Sequence, residues 1–125
     1  MTMILNFDFH SDVPIFMQIR NQIVIGIAEG KLKPGEQLPT IRALADESGI
    51  NMMTVSKAYQ ILKQEGYITA DRRSGARVAL KDDKAVNEKT MQQLRLAISE
   101  LRLSGMKEEE ILSRVSGIYQ EGDLK

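Results

Sequence analysis

Residues 40–66 have the sequence TIRALADESGINMMTVSKAYQILKQEG, in which two helical apolar patterns are separated by a single glycine. Thr40 and Asn51 each stand directly before one of these patterns, where a side-chain oxygen can accept a hydrogen bond from a free backbone N–H of the first turn. Gly49 suits a sharp turn, because glycine adopts left-handed backbone angles without strain. The stretch therefore predicts a short helix, a tight turn, and a longer helix that begins at Asn51 and is stopped by Gly66.

The longer helix has one apolar face and one polar face. At 100° per residue, one face carries Val55, Ala58, Tyr59 and Leu62, which are expected to pack on the neighbouring helices. The opposite face carries Met53, Ser56, Lys57, Gln60 and Gln64. A helix whose outward N-terminal face is short, polar and cationic fits the major groove of DNA. Its N-terminal end, with Asn51 and Thr54, can also lie against phosphates.

The flanking segments predict one more helix and a β-hairpin. Upstream, apolar side chains recur at three- and four-residue steps: Phe16, Ile19, Ile23 and Ile27. This stripe predicts a helix that begins in residues 11–14, with a capping side chain and a proline in its first turn, and that ends at Gly30. Downstream, residues 67–70 and 77–80 predict two short strands, joined by a hairpin loop at residues 71–76. Together these elements predict a winged helix-turn-helix.

Three arginines are the candidate cationic contacts to DNA. Arg72 and Arg73 lie in the predicted hairpin loop, the wing, where Gly75 permits close approach of the backbone to a minor groove or its phosphates. Arg42 lies near the start of the short helix and is expected to point outward beside the N-terminus of the longer one. An ion pair between Arg42 and Asp46, four residues on, is the alternative.

The C-terminal part predicts a two-helix dimerisation tail. Residues 81–84 are charged and predict a junction, so we expect a DNA-binding domain over 1–80 and a helical segment over 81–125. Two helices alone bury little surface, so their apolar stripes predict a homodimer. These stripes contain Leu94, Ile98, Leu101, Ile111, Val115 and Ile118. A two-fold dimer presents two recognition helices about 34 Å apart, or a multiple of this distance, which predicts an inverted-repeat operator in double-stranded DNA.

The chain from Pro14 to Val78 resembles the winged-helix domain of the GntR family of bacterial transcription regulators. The matching stretches, in the family's order and spacing, are Pro14-Ile15, Gln18-Ile19, Gly30, Pro34-Gly35, Leu38 to Ala45, Thr54-Val55, Ala58-Tyr59, Leu62, Glu65 to Ile68, Gly75 and Val78. The short two-helix tail resembles the YtrA-type subfamily, since larger relatives carry a big effector-binding domain in its place.

The resemblance implies a dimeric, sequence-specific DNA-binding regulator, most simply a repressor that competes with polymerase. It implies DNA contact by Arg42, Asn51, Thr54, Ser56 and Gly75. Three positions depart from the family pattern. Met52 and Met53 replace polar residues, and Met53 can meet a thymine methyl group but cannot read a base by hydrogen bonding. Ala76 lacks the basic side chain that some relatives place after the wing glycine, which shifts that role to Arg72, Arg73 and Arg77.

Composition excludes several other classes of function. The chain has 125 residues, no cysteine and one histidine, which excludes disulfide frameworks, thiolate zinc sites and cysteine nucleophiles. No metal site is expected with a single histidine, and no cofactor is expected, since neither Gly-rich phosphate motif occurs. No enzyme is expected, because no set of acid, base and nucleophile is identifiable and the triad residue types at residues 10–12 cannot converge when adjacent in sequence. No apolar run reaches the ~18 residues of a membrane span. Residues 1–12 lack the basic region of a secretory signal, so a cytoplasmic protein is expected.

The neutral charge leaves one alternative open. Seventeen basic and 17 acidic residues give a formal net charge of zero, whereas nucleic-acid binders usually show a basic bias. The alternative is a protein-interaction adaptor that uses a winged helix without binding DNA. Retention on heparin or random duplex that falls steeply with salt separates the two, because DNA binding releases counterions.

Overall fold

The computed structural model describes residues 5–71, 75–80 and 87–123. Along the chain these ranges contain α1 (Ile15–Ala28), α2 (Ile41–Ser48), α3 (Met52–Gln64), β1 (Ile68–Asp71), β2 (Gly75–Val78), α4 (Glu88–Leu103) and α5 (Glu108–Asp123). The described fold is mainly helical with one small antiparallel hairpin, which confirms the predicted fold class. The chain forms two compact units, Met1–Lys81 and Asp82–Lys125.

The helix-turn-helix follows from local signals in the sequence. The Thr40 hydroxyl accepts a hydrogen bond from the Ala43 N–H at 3.0 Å, and the Asn51 Oδ1 accepts one from the Met53 N–H at 2.7 Å. Both side chains are therefore the helix caps that the sequence predicts. Gly49 between the helices has φ +68°, a left-handed conformation that disfavours any side chain.

The core of the first unit lies between α1, α2 and α3. All four side chains predicted for the inner face of α3 are buried: Val55, Ala58, Tyr59 and Leu62. Ile19 and Ile23 of α1 and Leu44 of α2 pack in the same cluster. Truncating a buried leucine or isoleucine to alanine costs about 2–5 kcal/mol, so this cluster fixes how α3 is presented.

The second strand of the hairpin, β2, begins two residues earlier than the sequence predicts, whereas β1 begins one residue later. Ile68 pairs with Val78 and Asp71 with Gly75, so Gly75 belongs to β2, whereas the sequence placed it in the loop. The reason lies outside the hairpin. Residues 35–38 bind the other edge of β2, with the Leu38 N–H donating to the Ala76 carbonyl at 2.9 Å. This pairing extends the ladder over residues whose own propensity predicts a turn.

The start of α1 also differs from the prediction. Pro14 is itself the N-cap and no side chain caps the helix, because the Ser11 hydroxyl instead accepts from the Val13 N–H at 3.1 Å. A contact that the sequence analysis missed holds the N-terminal segment. The Asp8 N–H donates to the Gln18 Oε1 and the Gln18 Nε2 donates to the Asp8 carbonyl, each at 2.9 Å. Gln22 exchanges the same two kinds of hydrogen bond with the backbone of Asn6.

The second unit is a helical hairpin of α4 and α5. Asn87 caps α4 through a 2.8 Å hydrogen bond from the Lys89 N–H to its Oδ1, and Gly105 turns the chain with φ +95°. Ile111 is the one described side chain of this unit that is fully buried, at 6% exposure. The unit therefore leaves most of its apolar side chains in contact with water. In the part of the chain that the structure describes, neither these helices nor the others are long and apolar enough to cross a membrane.

Candidate nucleic-acid interface

The outer strip of α3, formed by Met53, Gln60 and Gln64, is presented to solvent. Met53 lies nine residues before Leu62, and at 100° per residue this spacing places the two side chains on opposite sides of the helix. Leu62 is completely buried and Met53 is 80% exposed. Gln60 and Gln64 are exposed on the same side of the helix. The burial of the inner face thus fixes the outward direction of this strip.

Three polar residues of α3 or its cap have restricted roles. The oxygen of the Asn51 amide is used by the cap, which leaves its NH₂ group as a donor to a phosphate or to a base acceptor. Thr54 is half-buried at the start of the helix. Ser56 is half-buried as well, and it lines a cleft between α3 and the hairpin. Of these three residues, Asn51 is exposed, whereas Thr54 and Ser56 are only partly accessible to a ligand.

Lys57 is drawn to one side of the helix. Its ammonium nitrogen lies 4.1 Å from the centre of the Phe16 ring of α1. A cation over an aromatic face is stabilised by about 0.5–1 kcal/mol at an exposed site. The charge of Lys57 is consequently held toward α1 and away from the outer strip.

Arg42 occupies the second position of α2 and is exposed. It forms no ion pair with any described residue, Asp46 included, so the alternative role proposed from the sequence is not seen. The Thr40 cap fixes the helix turn on which Arg42 stands. Its five N–H donors are therefore free for a phosphate or for the acceptors of a guanine.

The base of the wing is firmly bonded. Gly75 has φ +69°, and a Cβ atom there would meet only the Gln37 amide at 3.9 Å, so glycine is required by the backbone angle and not by lack of space. The Arg77 guanidinium donates to the Gly35 carbonyl at 3.1 Å, which makes it a contact within the fold. Arg72 and Arg73 lie outside the described residues.

A cleft of about 330 Å³ separates α3 from the hairpin. Ser56, Gln60 and Lys63, at spacings of four and three residues, form its α3 wall, and Ala70 and Ala76 are among its apolar lining. Lys63 is not among the contact residues predicted from the sequence, although its helical spacing from Ser56 and Gln60 indicates that the three share one side of α3. This side chain adds a cation to the flank of α3 that faces the wing.

Two further contacts hold α3 in place. The Tyr59 hydroxyl donates to the Pro39 carbonyl at 2.8 Å, and burial raises the pKa of this phenol well above its ordinary value. Arg20 of α1 pairs with Glu65 at 2.8 Å and lies over the Tyr67 ring at 5.7 Å.

Among residues 5–71, 75–80 and 87–121, no group of three acidic, histidine or cysteine side chains is arranged to hold a metal ion. Among the described residues, the candidate interface consists of the Thr40 and Asn51 caps, the unpaired Arg42 and the outer strip of α3.

Comparison with known proteins agrees with this geometry. The family model described as bacterial regulatory proteins, gntR family, matches residues 16–78. The structure of YtrA from Sulfolobus acidocaldarius, a GntR-family transcription factor, is 38% identical with a TM-score of 0.57, over 94% of this chain and 97% of that one. The transcriptional repressor YtrA of Bacillus subtilis is 40% identical over 72 residues, which are 58% of this chain and 55% of YtrA.

One similar structure was solved with its operator bound. The DNA-binding domain of AraR, solved in complex with operator ORX1, is 26% identical with a TM-score of 0.54, over 60% of this chain and 94% of that one. The fold is that of a winged helix-turn-helix transcription regulator that binds DNA, and not of an enzyme. The chain belongs to the GntR family of bacterial regulatory proteins, and within it to the YtrA-type subfamily.

Proposed function

We propose that the protein is a cytoplasmic, homodimeric repressor that binds an inverted-repeat operator. In each half-site, α3 enters the major groove and the wing, with Arg72, Arg73 and Gly75, lies at the minor groove. The repressor assignment is supported by the similarity to the Bacillus subtilis repressor YtrA. No effector is assigned.

One observation carries the DNA-binding part of this proposal. The N-terminal end of α3 is exposed and is capped by Asn51. The start of α2 lies near it, since Thr40 and Ile41 line one cleft with Ser56, and the next residue, Arg42, is exposed with no ion pair to a described residue. A helix N-terminus with donors and a neighbouring cation is complementary to phosphates and to acceptor-rich base edges. This local arrangement compensates for the neutral net charge of the whole chain.

The dimer part rests on the second unit. Of the six stripe residues, Leu94, Leu101, Val115 and Ile118 remain exposed and Ile98 is half-buried, whereas Ile111 is covered within the unit. A groove runs along α4 with Met91, Leu94 and Ile98 among its lining. Several exposed apolar side chains at helical spacing are typical of an interaction site. A second copy supplies a matching surface under two-fold symmetry.

The test begins with selection of bound duplexes from a random pool. We expect an inverted repeat bound with a Kd of about 10⁻⁸–10⁻¹¹ M at physiological salt. Arg42→Ala then costs about 1–3 kcal/mol and relaxes specificity at one base pair, if the contact is to a base. Arg42→Lys is the matched control, since it keeps the charge and loses the planar fork.

Two results would contradict the proposal. Heparin and duplex binding that does not weaken as salt rises would favour the adaptor role, because phosphate contacts always release counterions. Unchanged operator affinity and specificity for Arg42→Ala would remove Arg42 from the interface.

A further inference from the structure

Two methionines give the N-terminal end of α3 an unusual surface. Met53 is 80% exposed and Met52 is 44% exposed, while every other exposed residue of this helix is polar or charged. Met53 lies at the N-terminal end of the outer strip, on the side of the helix opposite the buried Leu62. Met52 lies about 100° around the helix from it. Of the two methionines, only Met53 therefore points straight into a groove that receives α3.

Hydrogen bonding is not available at this point of the strip. The Met53 backbone N–H is already bonded to the Asn51 cap, and a thioether sulfur is only a weak acceptor. The nearest cation on the helix, Lys57, is held over the Phe16 ring. The group that meets the DNA at this position is thus a neutral, polarisable, apolar side chain.

The major groove offers one apolar group on its base edges, the methyl group at C5 of thymine, which 5-methylcytosine also carries. We infer that Met53 recognises a pyrimidine C5-methyl group, so that each operator half-site has a methylated pyrimidine opposite Met53. This inference rests on the proposed entry of α3 into the major groove. It adds a sequence requirement that the free Arg42 and the Asn51 cap do not provide.

The test replaces thymine by deoxyuridine, one position at a time, in both half-sites of the selected operator. This change removes a methyl group and leaves the hydrogen-bonding edge intact. Loss of one buried methyl group lowers affinity about fourfold per half-site, and about fifteenfold for a symmetric pair. We expect this loss at one thymine per half-site, with little effect elsewhere in the α3 contact region.

The protein variants identify the side chain. Met53→Gln, which keeps the length and replaces the apolar end, is expected to bind thymine and deoxyuridine operators equally. Met52→Gln, the matched control, is expected to keep the difference. Both positions are exposed, and an unchanged melting temperature verifies that the fold is retained.

A further pair of duplexes, with cytosine or 5-methylcytosine at the deoxyuridine-sensitive position, shows whether the methyl group is recognised on cytosine as well as on thymine. If methylation raises affinity over cytosine by about the same fourfold, the methyl group is read whichever base carries it. If it does not, thymine is the source. An operator with no deoxyuridine-sensitive position, or a Met53→Gln protein that keeps full sensitivity, overturns the inference. Absence of any salt-sensitive specific binding by the wild-type protein would instead overturn the proposed function.

Discussion

Leu94→Asp is expected to dissociate the proposed dimer. Leu94 lies in the apolar stripe of α4 and remains 45% exposed within its own unit. Burial of a whole leucine side chain contributes about 2 kcal/mol, so covering the remaining half contributes about 1 kcal/mol per copy. A two-fold interface contains two copies, and a loss of about 2 kcal/mol raises the dimer dissociation constant about thirtyfold. Aspartate adds the cost of burying a carboxylate.

Leu103→Asp is the matched control. Leu103 is nine residues further along α4, which places it on the opposite side of the helix from Leu94. It is 88% exposed, so a mechanism based on exposed apolar area alone predicts a larger effect there. A face-specific interface predicts the reverse, with Leu103→Asp still dimeric.

Sedimentation velocity over a concentration series measures both variants, and operator titration follows the consequence for DNA. The Leu94→Asp protein is expected to sediment as a monomer where wild type is a dimer, and to bind the inverted repeat more weakly because the second half-site is no longer tethered. Equal dimer dissociation constants for Leu94→Asp and wild type would refute the reasoning. A monomeric Leu103→Asp protein would do so as well.

Two further predictions concern the stability of the first unit. The double variant Gln18→Ala and Gln22→Ala removes the hydrogen bonds that hold Asp8 and Asn6 to α1. It is expected to lower the free energy of unfolding in urea by about 2 kcal/mol, at about 1 kcal/mol for each side chain. Gln120→Ala, which removes a hydrogen bond to Ser116, is the control, and an equal loss in both variants would argue against a stabilising role for Gln18 and Gln22. Wild-type stability is expected to fall as the pH rises above 10.0, the ordinary pKa of tyrosine, because the unfolded chain then releases the Tyr59 proton that the folded protein retains. Tyr59→Phe should lose the part of this decrease that comes from Tyr59. If the free energy of unfolding of the variant falls above pH 10.0 as steeply as that of wild type, other groups cause the decrease.

The elements that the sequence predicts well are those with local signals. Thr40, Gly49 and Asn51 define the helix-turn-helix because each cap or turn is completed by atoms two or three residues away or by its own backbone angles. The inner face of α3 follows from helical phase for the same reason. The family resemblance then adds the function, which periodicity alone does not contain.

The features that the sequence does not predict depend on partners far along the chain. Lys57 belongs to the polar face by phase, yet a phenylalanine 41 residues earlier determines where its charge lies. Arg77 is a plausible wing cation in sequence, yet the Gly35 carbonyl holds it. The early start of β2 at Gly75 likewise depends on a segment that precedes α2. Composition and spacing carry no record of such distant pairings.

The bonding of β2 along both of its edges bears on how this class of regulator can diversify. Its one edge is occupied by β1 and its other by residues 35–38, so the strand offers no open edge to a neighbouring molecule. The anchorage of the hairpin is thus independent of the few residues at its tip. Substitutions and small insertions at the tip can therefore accumulate while the helix-turn-helix beneath keeps its geometry, because a loop closed by a rigid base tolerates changes in length at little cost in free energy.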